Sequence, residues 1–304
     1  MNTSASPSSG HPAKADLIVR QLDVDLDAGF DRHWVGGDAY RSTVFNALSF
    51  LFPVGEQFFI DAVRRFAPQV QAMGLTELSA EIRHFIGQEA THRHLHGRYN
   101  AQLQAMGYDN WNERTMAKYI AAFEGKAPKA DLAGTAAYEH FTALLGDGLL
   151  RHAAWTEGMA PEMRKVWLWH AAEEAEHKAV AFDTFQAVDG RYWLRILVFL
   201  YVSIEFSVFG TIQIIKMLRH DGQLFKLRTW ASAARFWLGR QGIVWHTLPH
   251  WFAYFKPSFH PWQHDNRALL MRWRAEHAGE YRTVQTHDPA PTDSPLSSTS
   301  PQGA

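Results

Sequence analysis

The sequence predicts an all-α chain, a four-helix bundle followed by additional C-terminal helices, and three observations carry that prediction. The pattern Glu-x-x-His occurs twice in helical surroundings, ending in His92 and in His177. A lone glutamate precedes each motif by a similar distance, Glu56 lying 33 residues before Glu89 and Glu139 lying 35 before Glu174. Between each lone glutamate and its motif, Pro and Gly residues at 68–74 and 158–161 turn the chain back on itself. Three residues are just under one helical turn, so the Glu and His of a motif leave the same face together. They pair a hard anionic oxygen with a neutral nitrogen, two types of metal ligand.

Composition sets the outer bounds. With 304 residues and 46% hydrophobic side chains, the chain can bury a large core. A formal net charge of −1 leaves no footprint for nucleic acid, so that partner is not expected. There is no Cys, which excludes disulfides, thiolate zinc sites and iron–sulfur clusters and leaves His and carboxylate to hold any metal. The 12 Trp and 20 Phe point to an aromatic-lined interior or a surface that meets lipid.

Residues 1–15 are rich in Ser, Pro and Gly with no apolar signal-peptide segment, and 286–304 are rich in Pro, Ser and Thr. Both ends are expected to be disordered. The bundle is assigned to 16–190 and a C-terminal helical extension to 191–285. After a lead-in over 20–32 and a turn at 34–38, the first helix is expected over 40–66. Pro53 inside it implies a kink or opening that helps expose Glu56, or a helix that starts there with Pro in its first turn. The second helix is expected over 76–106, ended by Gly107. A shorter helix spans 109–123. The third bundle helix, 131–157, carries Gly146 and Gly148, which imply close packing or a bend. Pro161 opens the fourth, which runs to 188. At 1.5 Å per residue, Glu56 and Glu89 each stand about 17–20 Å from their shared turn, so the two carboxylates come out level. Glu139 and Glu174 do the same in the second hairpin.

In the extension, 196–215 is long enough to cross a bilayer. Glu205 at its centre would cost about 2.5–3.5 kcal/mol in lipid. A helix covering the bundle or lying on a membrane is therefore expected, with Glu205 paired inside the protein. A basic, aromatic helix follows over 224–238. The run 245–264 holds four His and three Trp, which suits amphipathic packing, an interfacial belt or a second metal site. A last helix is expected over 266–280.

The candidate ligands are Glu56, Glu89, His92, Glu139, Glu174 and His177. A third match, Glu81 with His84, is set aside because Glu81 stands about two turns too near the loop. Glu173, four residues before His177, reaches the same face and could replace Glu174, or stand behind the ligands as a partner. His96 and His170 each lie one turn beyond a motif, as extra ligands or as partners of ligands. Asp147 and Asp183 are candidates to orient ligand imidazoles, and Tyr138 is a candidate redox neighbour or packing residue.

One Glu from each of two helices plus Glu-x-x-His from two others resembles the ligand set of ferritin-like di-iron carboxylate proteins. More narrowly, four segments resemble a bacterial family of predicted metal-dependent hydrolases, over about residues 30–280. They are Gly55-Glu56-Gln57-Phe58-Phe59, Gln88-Glu89 with His92, Trp169-His170 through Glu173-Glu174 to Glu176-His177-Lys178, and Lys256-Pro257-Ser258-Phe259-His260-Pro261-Trp262. The first resemblance implies two iron ions, with manganese or zinc as alternatives. It also implies oxygen-dependent hydroxylation or desaturation of an apolar substrate, served by an electron donor. The alternative is a hydrolase using a metal-bound water. A second alternative, a non-enzymatic iron-binding protein, fits poorly with the long aromatic C-terminal part. The expected location is cytoplasmic, with peripheral attachment to the inner face of a membrane.

Overall fold

Asp38 starts the bundle by accepting a hydrogen bond from the Arg41 backbone N–H at 3.1 Å, a side-chain cap on α1, Ala39–Ala72. The structure, a computed structural model, describes residues 14–284 except Glu124. The ends expected to be disordered, 1–15 and 286–304, lie outside it apart from Lys14 and Ala15.

Helix α1 runs through both Pro53 and Pro68 without interruption. It therefore does not begin at Pro53, and Glu56 is 1% exposed, so no opening bares it. The physical reason lies on α2, Thr76–Ala105. Pro53 has no N–H for the Ser49 carbonyl one turn back. Asn100 Nδ2 donates to that carbonyl instead, at 2.8 Å. Gly74, with φ +74°, makes the left-handed turn that joins α1 to α2.

After α3, Trp111–Phe123, Pro128 opens α4, Pro128–Arg151. This helix stops six residues before its expected end, and a single turn, α5, Ala153–Thr156, precedes α6, Pro161–His177. The fourth bundle helix is also shorter than expected. It ends at His177 and resumes as α7, Val180–Val188. At this joint Lys178 Nζ donates to the His264 carbonyl at 2.7 Å and to Asn266 Oδ1 at 2.9 Å, over the ring of Trp262. Backbone from the far end of the chain thus holds the break in place.

The core is two apolar clusters. One gathers Phe45, Phe50, Tyr99, Leu103 and Trp167, and the other Phe59, Val63, Phe85, Leu132 and Phe185. On α1 Glu56 lies between Phe52 of the first cluster and Phe59 of the second, and on α2 the polar run 87–94 lies between Phe85 of the second and Leu95 of the first.

Helix α8, Tyr192–His220, lies along α1 and α4 and buries Ile196, Phe199, Val202 and Met217. Glu205 on it is 7% exposed and accepts from the Tyr138 hydroxyl, so its partner is a phenol from the bundle. Helices α9, Leu227–Leu238, α10, Ile243–Ala253, and α11, Arg267–Glu276, complete the extension. Phe236, Ile243, Trp262 and Trp273 share one cluster with the bundle's Phe45 and Trp167. Two strands were not foreseen: β1, Arg20–Leu22, pairs antiparallel with β2, Tyr281–Thr283, and joins the two ends of the described chain.

The expected glycine contact is specific. A Cβ on Gly146 of α4 would stand 2.8 Å from the Ala171 carbonyl oxygen of α6. Gly146→Ala should therefore force the two helices apart and cost about 1–3 kcal/mol, read from urea denaturation. Gly97, in open space on α2, is the control, and Gly97→Ala should stabilise by about 0.5–1 kcal/mol. Equal midpoints for the two variants would contradict the close approach.

Candidate metal centre

Four helices deliver the six predicted ligands to one point. Glu56 comes from α1, Glu89 and His92 from α2, Glu139 from α4, and Glu174 and His177 from α6, none more than 3% exposed. His177 Nε2 stands 3.1 Å from Glu89 Oε1, 3.1 Å from Glu139 Oε2 and 3.4 Å from Glu174 Oε2. His92 Nδ1 lies 3.6 Å from Glu174 Oε1. Two triads, Glu56–Glu89–His92 and Glu89–Glu174–His177, each bring three ligand atoms within 4.8 Å of one another and share Glu89.

These atoms lack partners. Both carboxyl oxygens of Glu56, Glu89 and Glu139, with Glu174 Oε2, His92 Nδ1 and His177 Nε2, are buried without a well-formed hydrogen bond. Each such atom costs about 1–3 kcal/mol if left unsatisfied. Burial, with repulsion from Glu89, Glu174 and Glu139, pushes the Glu56 carboxyl well above the usual range. Burial also raises Glu89 and Glu139. Glu174 is held well below, burial being outweighed by His177 and His170. A divalent cation would neutralise the carboxylates and satisfy the bare nitrogens together, so the donor set fits a metal.

The imidazoles are aimed from behind. His92 Nε2 lies 3.1 Å from Glu173 Oε2, and Glu173 accepts from Arg20 at 3.1 Å. His177 Nδ1 lies 3.0 Å from Gln88 Oε1. Gln88 Nε2 donates to Glu176 Oε2 and to the Ile18 carbonyl, both at 3.0 Å, which fixes the amide. His177 thus donates through Nδ1 and turns Nε2 towards the carboxylates. The residue just before each motif's Glu orients the His of the other motif. The repeated unit is therefore Gln/Glu-Glu-x-x-His, a polar residue at that position in both copies being the signal that was missed.

Glu173 accordingly does not replace Glu174, since Arg20 and His92 hold its carboxylate away from the cluster. Arg20, Glu176 and Arg274 were also missed. Arg20 donates to both oxygens of Glu176, and Arg274 Nε donates to Oε1 at 2.9 Å. Asp183 bonds Lys14 and His260 at 2.7 and 2.9 Å and orients no ligand imidazole. Asp147 accepts from Arg151 through both oxygens and faces His264 and His246. Among the described residues, no triad of metal-ligating atoms within 4.8 Å of one another includes a histidine of 245–264. Glu81 pairs with Lys14 outside the cluster. His96 and His170 do reach it, through His170 Nε2 at 2.9 Å from Glu174 Oε1.

Glu89→Ala or His177→Ala should sharply lower metal content, measured by plasma mass spectrometry, while the helical circular-dichroism signal stays. Gln88→Ala should weaken binding about 10–100-fold by freeing the His177 ring. Glu81→Ala should do neither. Metal lost from Glu81→Ala and kept by Glu89→Ala would overturn the ligand set.

No curated protein and no solved structure matches the chain. A family model described as predicted metal-dependent hydrolase matches residues 18–265, a span that contains all six candidate ligands and their supporting residues except Arg274. The chain belongs to the predicted metal-dependent hydrolase family.

Proposed function

We propose that this protein hydrolyses an apolar substrate at a pair of divalent ions held by Glu56, Glu89, His92, Glu139, Glu174 and His177. The observation that carries this is the convergence of unpartnered carboxyl oxygens and imidazole nitrogens beside an apolar cavity. That cavity, of about 350 Å³, is walled by residues such as Phe52, Trp155, Trp167, Phe206 and Ile243. Among the described residues, Glu174 and His170 are its only ionisable lining residues. A second cavity of about 360 Å³ shares Leu51, Phe52, Thr142 and Phe206 with it and extends to Tyr119 and Tyr201. The two together suit an elongated apolar chain. Its walls would bind that chain and exclude bulk water, and Glu174 and His170 would meet its reacting end. When bound, the metal supplies Lewis-acid polarisation of the scissile group and acidifies water.

A second reading, oxygen-dependent hydroxylation or desaturation at two irons with an external electron donor, is favoured by one observation. The four-Glu, two-His layout on four helices is the one used by ferritin-like di-iron proteins. Metal-free protein loaded with zinc, manganese or anaerobic ferrous iron separates the two. Hydrolysis predicts metal-dependent cleavage of medium-chain nitrophenyl esters, absent in Glu89→Ala. Oxygen uptake by the iron-loaded protein with no ester cleavage under any metal would sink hydrolysis and support oxidation.

We further infer that the substrate arrives from an anionic lipid surface. Helix α8 exposes Trp193, Leu197 and Ile204 by 63–70%, and beyond it Phe225 and Leu227 are 92% and 88% exposed. Lys216, Arg219, Lys226, Arg228, Arg235 and Arg240, all exposed, flank Phe225 and Leu227 along the chain. Between residues 206 and 264 the only acid is Asp221, whose side chain is buried against Arg32 and His33. Basic charge around an apolar face complements anionic headgroups. The first cavity is lined from the same helices, by Gly210 and Ile214 of α8 and Trp237 of α9. The protein should co-sediment with phosphatidylglycerol vesicles, less so with phosphatidylcholine, and carbonate should release it. Phe225→Ser with Leu227→Ser should abolish sedimentation. A concentration-dependent dimer with no vesicle binding would assign the face to a second copy. Retention through carbonate until detergent is added would mean that α8 spans the bilayer.

A further inference from the structure

The geometry points to His170 as a third histidine ligand, bound through Nε2, its tautomer imposed by Pro53 through a chain of hydrogen bonds. This rests on the metal reading of the cluster and adds a residue to it. Pro53 leaves the Ser49 carbonyl without its helical donor. A carbonyl only accepts, and Asn100 Nδ2 supplies the proton at 2.8 Å. That orients the amide, because the flipped form would set oxygen against oxygen.

Asn100 Oδ1 then faces Ser49 Oγ at 2.7 Å. The amide oxygen only accepts, so the single hydroxyl proton of Ser49 lies on that bond. Ser49 Oγ is also 2.8 Å from His96 Nδ1 and must accept there, which puts a proton on Nδ1. A neutral imidazole with its proton on Nδ1 has a bare Nε2. Nε2 lies 2.8 Å from His170 Nδ1, which donates to it. As a neutral ligand with its proton on Nδ1, the His170 ring would keep Nε2 bare. It faces Glu174 Oε1 at 2.9 Å, an acceptor against an acceptor.

Only a cation between them resolves that contact, and a second observation selects a metal over a proton. His92 presents a bare Nδ1 to the same carboxylate, its Nε2 being committed to Glu173. The His92 and His170 rings stack with centroids 4.2 Å apart and planes 15° apart. His92, His170 and Glu174 bring ligand atoms within 4.8 Å of one another, all buried. A proton satisfies one lone pair of the three, whereas a divalent ion satisfies all. Because His170 and Glu174 also line the first cavity, an ion held there adjoins the substrate.

Cobalt(II)-loaded protein tests this by proton NMR. Each ligand imidazole keeps one exchangeable N–H, strongly shifted by the paramagnetic ion. Wild-type protein should show three such signals, from His92, His170 and His177, and His170→Gln should lose one. Ser49→Ala, a smaller change that breaks the chain upstream, should keep the helical signal and weaken cobalt binding about 10–100-fold. Two signals in wild-type protein, both kept in His170→Gln, would overturn this proposal and leave the six-ligand centre standing. Failure to bind cobalt at all would overturn both.

Discussion

Carboxylates placed between two apolar clusters repel each other and lose their hydration, and much of this structure serves to hold Glu56, Glu89, Glu139 and Glu174 in that position. Burying an unpaired charge is among the most costly things a protein interior does. Four helices spread the cost by supplying one or two of the six candidate ligands each, with apolar packing above and below. His177 stands within 3.4 Å of three of the four carboxylates. In the metal-free protein it carries much of the balancing charge, since burial is outweighed by Glu139 and Glu174 and its pKa rises well above the usual value. A metal ion would take over that role and release the ring to serve as a neutral ligand.

A second ring of charge explains the ends of the chain. Arg20 is fully buried, and Glu176 and Glu173 outweigh its loss of hydration and raise its pKa. Its guanidinium reaches the centre because β1 is pinned to β2, and Trp273 and Tyr281 lie within 5.6 Å of it. Arg274 adds a second cation on Glu176. Removing one member of such a buried set typically costs about 3–5 kcal/mol. The paired ends therefore act on the imidazoles, through Glu173 for His92 and through Glu176 and Gln88 for His177.

The bundle and the convergence of the six candidate residues were legible because helical periodicity and chain reversal are local properties. Glu56 and Glu89 sit level across a turn whose position Pro68 and Gly74 announce. What escaped was set by tertiary packing. No Pro or Gly marks the joint after His177, which Lys178 makes by bonding backbone at His264. Pro53 reads as a helix breaker until Asn100, 47 residues away, supplies the missing donor. Three-residue strands carry almost no periodic signal. Glu173 shares its helical face with the ligands, and only the placement of Arg20 turns it into a support for His92.

The C-terminal extension gives the centre its surroundings. Phe206, Gly210 and Ile214 of α8, Phe236 and Trp237 of α9 and Ile243 of α10 close the cavity beside Glu174 and His170. Such walls lower the local dielectric, so each charge at the centre acts more strongly on a bound group than it would in water. The same helices turn apolar and basic side chains outward. The apolar cavity and the exposed apolar and basic side chains thus belong to one set of elements. For the proposed apolar substrate, passage from lipid into this cavity would limit the exposure of its chain to water and so carry little hydrophobic cost.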